Sequence, residues 1–361
     1  MLIGIYMLFN MLLLLQDILV PICFAGLIAI LLNPAVNKLE QWRLPKVVAI
    51  CIVLLLAILV VGGIIAFISA QLADFSELAP DFKKKGAELF AKFQSWLQST
   101  FNISRKKQLS MFNSAVESGQ AYIGQTLSTV ASIISVAVLL PIYTFLLLYY
   151  KPLFLNFFYE VFESKHEEKV SEVLNETKSA VQSYIFGLLV EMLIVATLNS
   201  VALLALGVKY AILLGIIGAI LNVIPYIGGI VAIALPVLMA LITGNGSFTT
   251  PLLVVAAYTV IQFIDNNIIV PRVVSSKVEV NAFISIIIVL LGGSLWGVSG
   301  MFLSIPFIAI CKIIFDRIEE LQPWGKLLGI KMDENFTIRQ MINASAENEE
   351  QQEDKKTENS N

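Results

Sequence analysis

Histidine is almost missing from this sequence. His166 stands alone, in the charged stretch FESKHEEKV, and one imidazole cannot supply the acid–base pairs or ligand clusters of common hydrolases and metalloenzymes. G-x-S-x-G, H-E-x-x-H and a phosphate-cradling loop ending in Lys-Ser/Thr are all missing. The sequence therefore reads as that of a non-enzyme, with no cofactor or metal site, and His166 reads as a solvated linker residue. Cysteine is scarce as well: Cys23, Cys51 and Cys311 lie inside apolar runs without C-x-x-C spacing, which excludes a disulfide framework or zinc site and leaves small packing residues. Charged residues make up only 14% of the chain and the formal net charge is -3, which gives no support to nucleic-acid binding. The ten-residue alternating segments of a membrane barrel do not occur.

Apolar residues are abundant, at 57% with a mean hydropathy of +0.82. A span of about 20 apolar residues folds as a helix in lipid because backbone N–H and C=O groups find no water there. The expectation is an all-α, polytopic membrane protein of about eight transmembrane helices plus broken or re-entrant helical hairpins. The opening MLIGIYMLFNMLLLLQD has neither a basic n-region nor a small-x-small cleavage site, so it reads as a retained first span. Lys38, Arg43 and Lys46 outnumber Glu40 in the next loop, which places that loop in the cytoplasm. A tight external turn at Gln16-Asp17 then puts both termini inside.

Composition divides the chain into six parts. Residues 1–70 form N-terminal transmembrane helices, and 71–126 an extracytoplasmic region of amphipathic helices. Residues 127–150 form another span. A cytoplasmic helical linker follows at 151–183, where Glu and Lys recur at i, i+4 offsets. Residues 184–320 form a C-terminal transmembrane region with broken helices. The tail, 321–361, is cytoplasmic, and from about 344 it is too polar to offset ordering entropy and is expected to be disordered.

Polar residues inside the apolar C-terminal half single out candidate functional positions. An ionisable group in hydrocarbon costs about 2.5–3.5 kcal/mol on insertion scales, so it is retained where it faces a cavity or a partner. Glu191 lies two helical turns before Asn199, which fits a polar seam, although capping or a bond to a neighbouring helix accounts for it equally well. In VIQFIDNNIIVPRVV, Gln262, Asp265, Asn266 and Asn267 precede Pro271; they line a wet path, or the span ends there at the interface. In GAILNVIPYIGGIVAIALP, Asn222, Pro225, Tyr226, Gly228 and Gly229 interrupt an apolar run. Proline removes a helix hydrogen bond and the glycine pair permits a reversal, so the tip of a hairpin or a discontinuous helix is expected. A second run, LLGGSLWGVSGMFLSIP, is broken at Gly292, Gly293, Gly297 and Gly300 before Pro306. Paired interruptions point to a transporter's midplane site; ordinary turns between full spans are the competing explanation.

At these positions the sequence resembles the autoinducer-2 exporter family, also called PerM-like permeases. The resemblance rests on NVIPYIGG against N-x-I-P-Y-x-G, on QFIDNNIIVPRVV against Q-x-x-[DE]-N-x-x-x-x-P, and on GGSLWGVSGMFLSIP against G-G-x-x-x-G-x-x-G-x-x-x-x-x-P. It covers nearly all of residues 1–330. Carried over, the motif residues fall on Asn222, Pro225, Tyr226, Gly228, Gln262, Asp265, Asn266, Pro271, Gly293, Gly300 and Pro306. Gly229 stands where Pro or Ala is common, and Asn281-Ala282 lack a proline often found at that hairpin. The resemblance implies a multi-pass protein of the bacterial cytoplasmic membrane that exports autoinducer-2-like small molecules or exchanges Na⁺ or Li⁺ for protons. The expected partners are the lipid bilayer, a small-molecule or cation substrate coupled to H⁺ or Na⁺, and other copies of the chain in a homo-oligomer, with no nucleic acid. Two rivals remain: a membrane scaffold that binds a partner through 71–126, and a channel, whose flux would not saturate.

Overall fold

The computed structural model describes residues 2–76, 91, 138–162, 167–224, 228–243, 248–274 and 280–329. The expected extracytoplasmic region at 71–126 falls almost wholly outside them, as does the tail from 330. All regular elements among the described residues are helical. Among the described residues five helices are long and apolar enough to cross a membrane, or six if one bent pair counts as a span; about eight are expected of the whole chain.

α1 (Leu2–Leu14) and α2 (Gln16–Gln41) are separated by one residue. Leu15 N–H donates to Met11 C=O at 3.0 Å and Leu19 N–H to Leu15 C=O at 2.9 Å, so helical bonding persists on both sides. Here the structure departs from the expected tight turn at Gln16-Asp17: one residue with helical bonds to either side bends a helix and cannot reverse it.

α3 (Lys46–Ser76) packs beside α2 and α4 (Val138–Tyr149) around Val36, Ala49, Ile50, Val53 and Leu148. α4 bends by 59° into α5 (Lys151–Val161). Pro152 explains the bend, because it has no N–H to donate and its ring clashes with the carbonyl four residues earlier. Lys46 and Lys151 fasten this corner, the first donating to Tyr149 C=O at 2.7 Å and the second to Asn33 Oδ1 at 3.0 Å.

α6 (Glu167–Ala205) runs unbroken for 39 residues, about 58 Å at 1.5 Å per residue. The expected linker at 151–183 is thus in part the charged first half of a helix whose apolar second half begins near Tyr184. Gly207 ends it at φ +67, with Val208 N–H donating to Leu203 C=O and Gly207 N–H to Leu204 C=O, both at 3.0 Å. That pairing is a Schellman cap and needs the left-handed conformation that glycine adopts without a Cβ clash.

Two hairpins follow. α7 (Ala211–Asn222) and α8 (Gly228–Thr243) are about 18 and 24 Å long, each short of the roughly 30 Å of hydrocarbon. They pack on each other and on α6 and α9 around Leu203, Leu214, Met239, Val254 and Tyr258. α9 (Thr249–Val273) widens into a π-helical stretch at Asp265–Ile269. Pro271 lies just beyond, and a wider turn relieves the clash its ring would make with a carbonyl in the turn before.

α10 (Ala282–Arg317) is one element by its bonding, but its backbone leaves the helical region at Trp296 and at Gly297, φ +58 and ψ -139. In a straight helix residues 288 and 304 would stand about 24 Å apart. Instead Ser304 Oγ donates to Ile288 C=O at 3.0 Å, so α10 is a second hairpin. Its first arm, residues 282–295, measures about 21 Å, too short to cross alone. Asn281 closes the base. Its Oδ1 caps the arm by accepting from Ile284 N–H at 2.9 Å, while its Nδ2 donates to Leu327 C=O at 2.7 Å in α11 (Gln322–Leu328). The tip is held by Trp296, whose indole N–H donates to Leu12 C=O at 3.1 Å.

Candidate functional site

The polar residues of the C-terminal half converge where the tip of the first hairpin meets α6 and the π-helical stretch of α9. A cavity of about 900 Å³ opens there, its lining including Glu191, Asn222, Gln262, Asp265, Asn266 and Asn267, with Gly229 beside them. Glu191 is 6% exposed and Asp265 2%. Among the described residues neither carboxylate has a basic partner.

Amide side chains surround Asp265. Asn222 Nδ2 donates to Asp265 Oδ2 at 2.8 Å, joining the hairpin tip to α9 across 43 positions of sequence. Gln262 Nε2 donates to the same oxygen at 3.4 Å and to Asn266 Oδ1 at 3.3 Å. The amide oxygens of Asn222 and Gln262 converge over Gly229: a Cβ there would lie 3.5 Å from the first and 2.5 Å from the second. The absence of a side chain at 229 keeps this corner open. Asp265 Oδ1 is buried without a hydrogen-bond partner, a costly state for a carboxylate oxygen unless water, a cation or a solute meets it.

Local chemistry explains the placement. Asn222 ends α7, where the helix has run out and the chain must reverse. Gly228 follows the reversal, and a Cβ on it would meet the Leu221 carbonyl and come within 2.7 Å of Asn222 Cα. Pro225 and Tyr226, between them, lie outside the described residues. The π-helical stretch carries Asp265, Asn266 and Asn267 past the cavity on a widened turn; π-turns inside α-helices frequently occur at functional sites.

Other candidate positions lie elsewhere. Asn199 is 2% exposed and sits behind Gly218, its Nδ2 3.3 Å from where a Cβ would be. Pro271 is exposed at the end of α9. Gly292, Gly293, Gly297, Gly300 and Pro306 belong to the second hairpin and do not line the cavity. Gly292 and Gly300 instead bring its arms into backbone contact, and Gly293 receives Met301. Ser285 and Ile305, from the same hairpin, do reach the cavity.

Tyr184 and Tyr258 also line it and were not singled out from the sequence. A signal was there: Tyr258, Gln262 and Asp265 follow at i, i+4 and i+7, and Tyr184 precedes Glu191 by seven, so each tyrosine shares a helix face with a carboxylate. Tyrosine in an apolar run reads as an interfacial anchor, which hides that signal.

The description AI-2E family transporter belongs to the family model that matches residues 2–320. The AI-2 transport protein TqsA of Escherichia coli (strain K12) is 24% identical over 301 residues, covering 83% of this chain and 86% of TqsA. YueF, a candidate transport protein of Bacillus subtilis (strain 168), is 25% identical over 318 residues, covering 83% of this chain and 84% of its own. YhhT, a candidate transport protein of Escherichia coli (strain K12), is 25% identical over 329 residues, with 87% and 88% covered.

Proposed function

The chain belongs to the AI-2E transporter family, and on that premise we propose that it is a secondary transporter of the bacterial cytoplasmic membrane that exports a small polar solute of the autoinducer-2 kind. The observation that carries this reading is the bond from Asn222, at the tip of a hairpin too short to cross lipid, to buried Asp265 in a roomy cavity. Backbone freed at such a tip persists in hydrocarbon only where it faces protein or a wet cavity. The amide groups of Asn222, Gln262 and Asn266 offer hydrogen bonds to a neutral solute. Glu191 and Asp265, two carboxylates without basic partners among the described residues, supply the charge that couples movement to a proton or Na⁺ gradient.

Cation/proton antiport with no organic cargo is the second reading, and the pairing of two unneutralised carboxylates in one cavity favours it. The scaffold alternative rests on 71–126 and gives the cavity no task. Flux through proteoliposomes, comparing autoinducer-2, Na⁺ and Li⁺ under an imposed pH gradient, separates the three. Asp265→Asn is expected to reduce cation-dependent flux at least tenfold while insertion stays as in the parent and the unfolding midpoint does not fall; unchanged flux would remove Asp265 from the mechanism. Cysteines placed at Asn222 and Asn266 are expected to react with an aqueous maleimide, and two sealed positions would favour the scaffold.

A further inference from the structure

The short helix α5 has no buried residue, and at 3.6 residues per turn its side chains sort into three faces. Lys151, Leu155 and Tyr159 turn toward the protein and are half-buried. Pro152, Asn156 and Glu160 form an exposed, largely polar face. The third face is centred about 150° from the second and is wholly apolar. Leu153, Phe154, Phe157, Phe158, Val161 and, just past the helix end, Phe162 are between 41% and 61% exposed on it. It continues the stripe of α4, where Val138, Ile142 and Leu146 are exposed too. A polar face opposite an apolar one is the pattern of a helix lying between water and hydrocarbon, unlike the all-round apolarity of a span.

The corner from which α5 departs carries the residue types of the headgroup level. Lys46 donates to the Tyr149 carbonyl and lies 5.5 Å from its ring. Tyr150 packs edge-on to Tyr149, and Trp42 is exposed in the loop before Lys46. Tryptophan, tyrosine and lysine gather where a chain leaves hydrocarbon. Lys46 and Lys178 both lie within electrostatic reach of Lys151, against Glu40, so the corner is net positive, and an ammonium that gives one bond to the protein keeps donors for a phosphate. Bent by 59° from α4, the roughly 16 Å of α5 advance only about 8 Å along the line of α4 and about 14 Å across it. That advance is close to the depth of one headgroup layer, and the apolar sequence from 127 to 149 is long enough to cross without α5. We propose that α5 is an interfacial helix seated in the leaflet beside this corner, with its phenylalanines among the upper acyl chains, Asn156 and Glu160 in water, and Lys46, Lys151 and Lys178 at the level of the lipid phosphates.

The test reads depth position by position. Phe154→Cys, Phe157→Cys, Val161→Cys, Asn156→Cys and Glu160→Cys are made singly in the full chain without Cys23, Cys51 and Cys311, spin-labelled, and placed in vesicles of phosphatidylcholine and phosphatidylglycerol. Collisions of each label with oxygen and with a water-soluble nickel chelate are compared, and Trp42→Cys marks the phosphate level. All five α5 side chains are exposed, so the unfolding midpoint of each variant is expected to match the parent, and the pattern across five positions stays readable if one variant fails. The expected result is an oxygen-to-nickel ratio several-fold higher at the three apolar positions than at the two polar ones, with the apolar labels about 5–10 Å below the phosphates. Equal access of nickel to all five would leave α5 standing in water and overturn the proposal. So would a depth that grows steadily from Phe154 to Val161 with Asn156 and Glu160 as deep as their neighbours, which would make α5 a continuation of the span. Apolar positions shielded from both reagents would assign the face to another copy or another part of the chain, and would overturn it as well.

Discussion

Glu191 brings a carboxylate into the same cavity as Asp265, and no lysine or arginine among the described residues neutralises either. A buried, uncompensated charge opposes folding, and removing it while keeping the side chain's shape is often stabilising. Glu191→Gln is therefore expected to raise the unfolding midpoint in detergent, by an amount equivalent to about 1 kcal/mol or more, while making flux insensitive to the imposed cation gradient. A lower midpoint would show that the carboxylate is held by bonds the amide cannot replace. At this scale the sequence was informative about which residues are unusual and silent about which of them meet. Glu191, Asn222 and Asp265 were conspicuous because amides and carboxylates are expensive in hydrocarbon. The bond between Asn222 and Asp265 spans 43 positions, and no local periodicity encodes a contact of that range. Asn199 matched the spacing of Glu191 yet lies behind the cavity lining, since residues eight apart drift off a common helix face.

Each short hairpin is specified by what its glycines lack. Gly297 holds φ +58 with ψ -139, a region open essentially to glycine alone, so Gly297→Ala is expected to cost about 1–3 kcal/mol through backbone strain. Between the arms, a Cβ on Gly292 would lie 2.5 Å from the Gly300 carbonyl. Lipid offers helices no hydrophobic reward for packing, so close backbone approach and hydrogen bonds hold such arms together. Gly292→Val is expected to separate them, breaking the Ser304 bond to Ile288 and lowering the unfolding midpoint more than the same change at Gly62, where a Cβ meets nothing within 4 Å. Equal effects at the two sites would mean the arms are not held by this contact. Proline and glycine made both reversals readable in advance, because their backbone chemistry is local. The continuity of α6 was not. Composition switches from charged to apolar near Tyr184, and hydropathy reports the medium around a helix, not whether its backbone is broken. The bend at Leu15 left no trace either, since leucine carries no turn chemistry.

On the scale of the whole molecule, independent contacts place the charged ends on one side. The loop after α2, with Arg43, leads to Lys46, which bonds the end of α4, and Lys151 bonds Asn33 of α2. Gln182, where α6 turns from charged to apolar, donates to Ile30 C=O at 2.7 Å, close to the same level. The base of the second hairpin joins this side through Arg317, which pairs with Glu176 and lies 3.7 Å from Glu172. These ion pairs are partly exposed, and pairs of that kind contribute about 0.2–1 kcal/mol, so they report the arrangement without holding it. Apolar packing fixes it instead, through Leu27, Val181 and Leu303 and the stacked rings of Phe24 and Phe302, 5.5 Å apart. Away from this side, α3 presents Leu55, Leu56, Leu59, Val60 and Val61, each more than half exposed, a surface that only lipid or another apolar helix covers without large cost. It follows that Arg43→Cys and Glu319→Cys, each in a background without Cys23, Cys51 and Cys311, should react with an impermeant maleimide from the same face of sealed vesicles. We propose that this face is the cytoplasmic one, on the excess of basic residues in the loop after α2. Labelling from opposite faces would contradict the pairing of Arg317 with Glu176 and the bond from Gln182 to Ile30, and would overturn this arrangement.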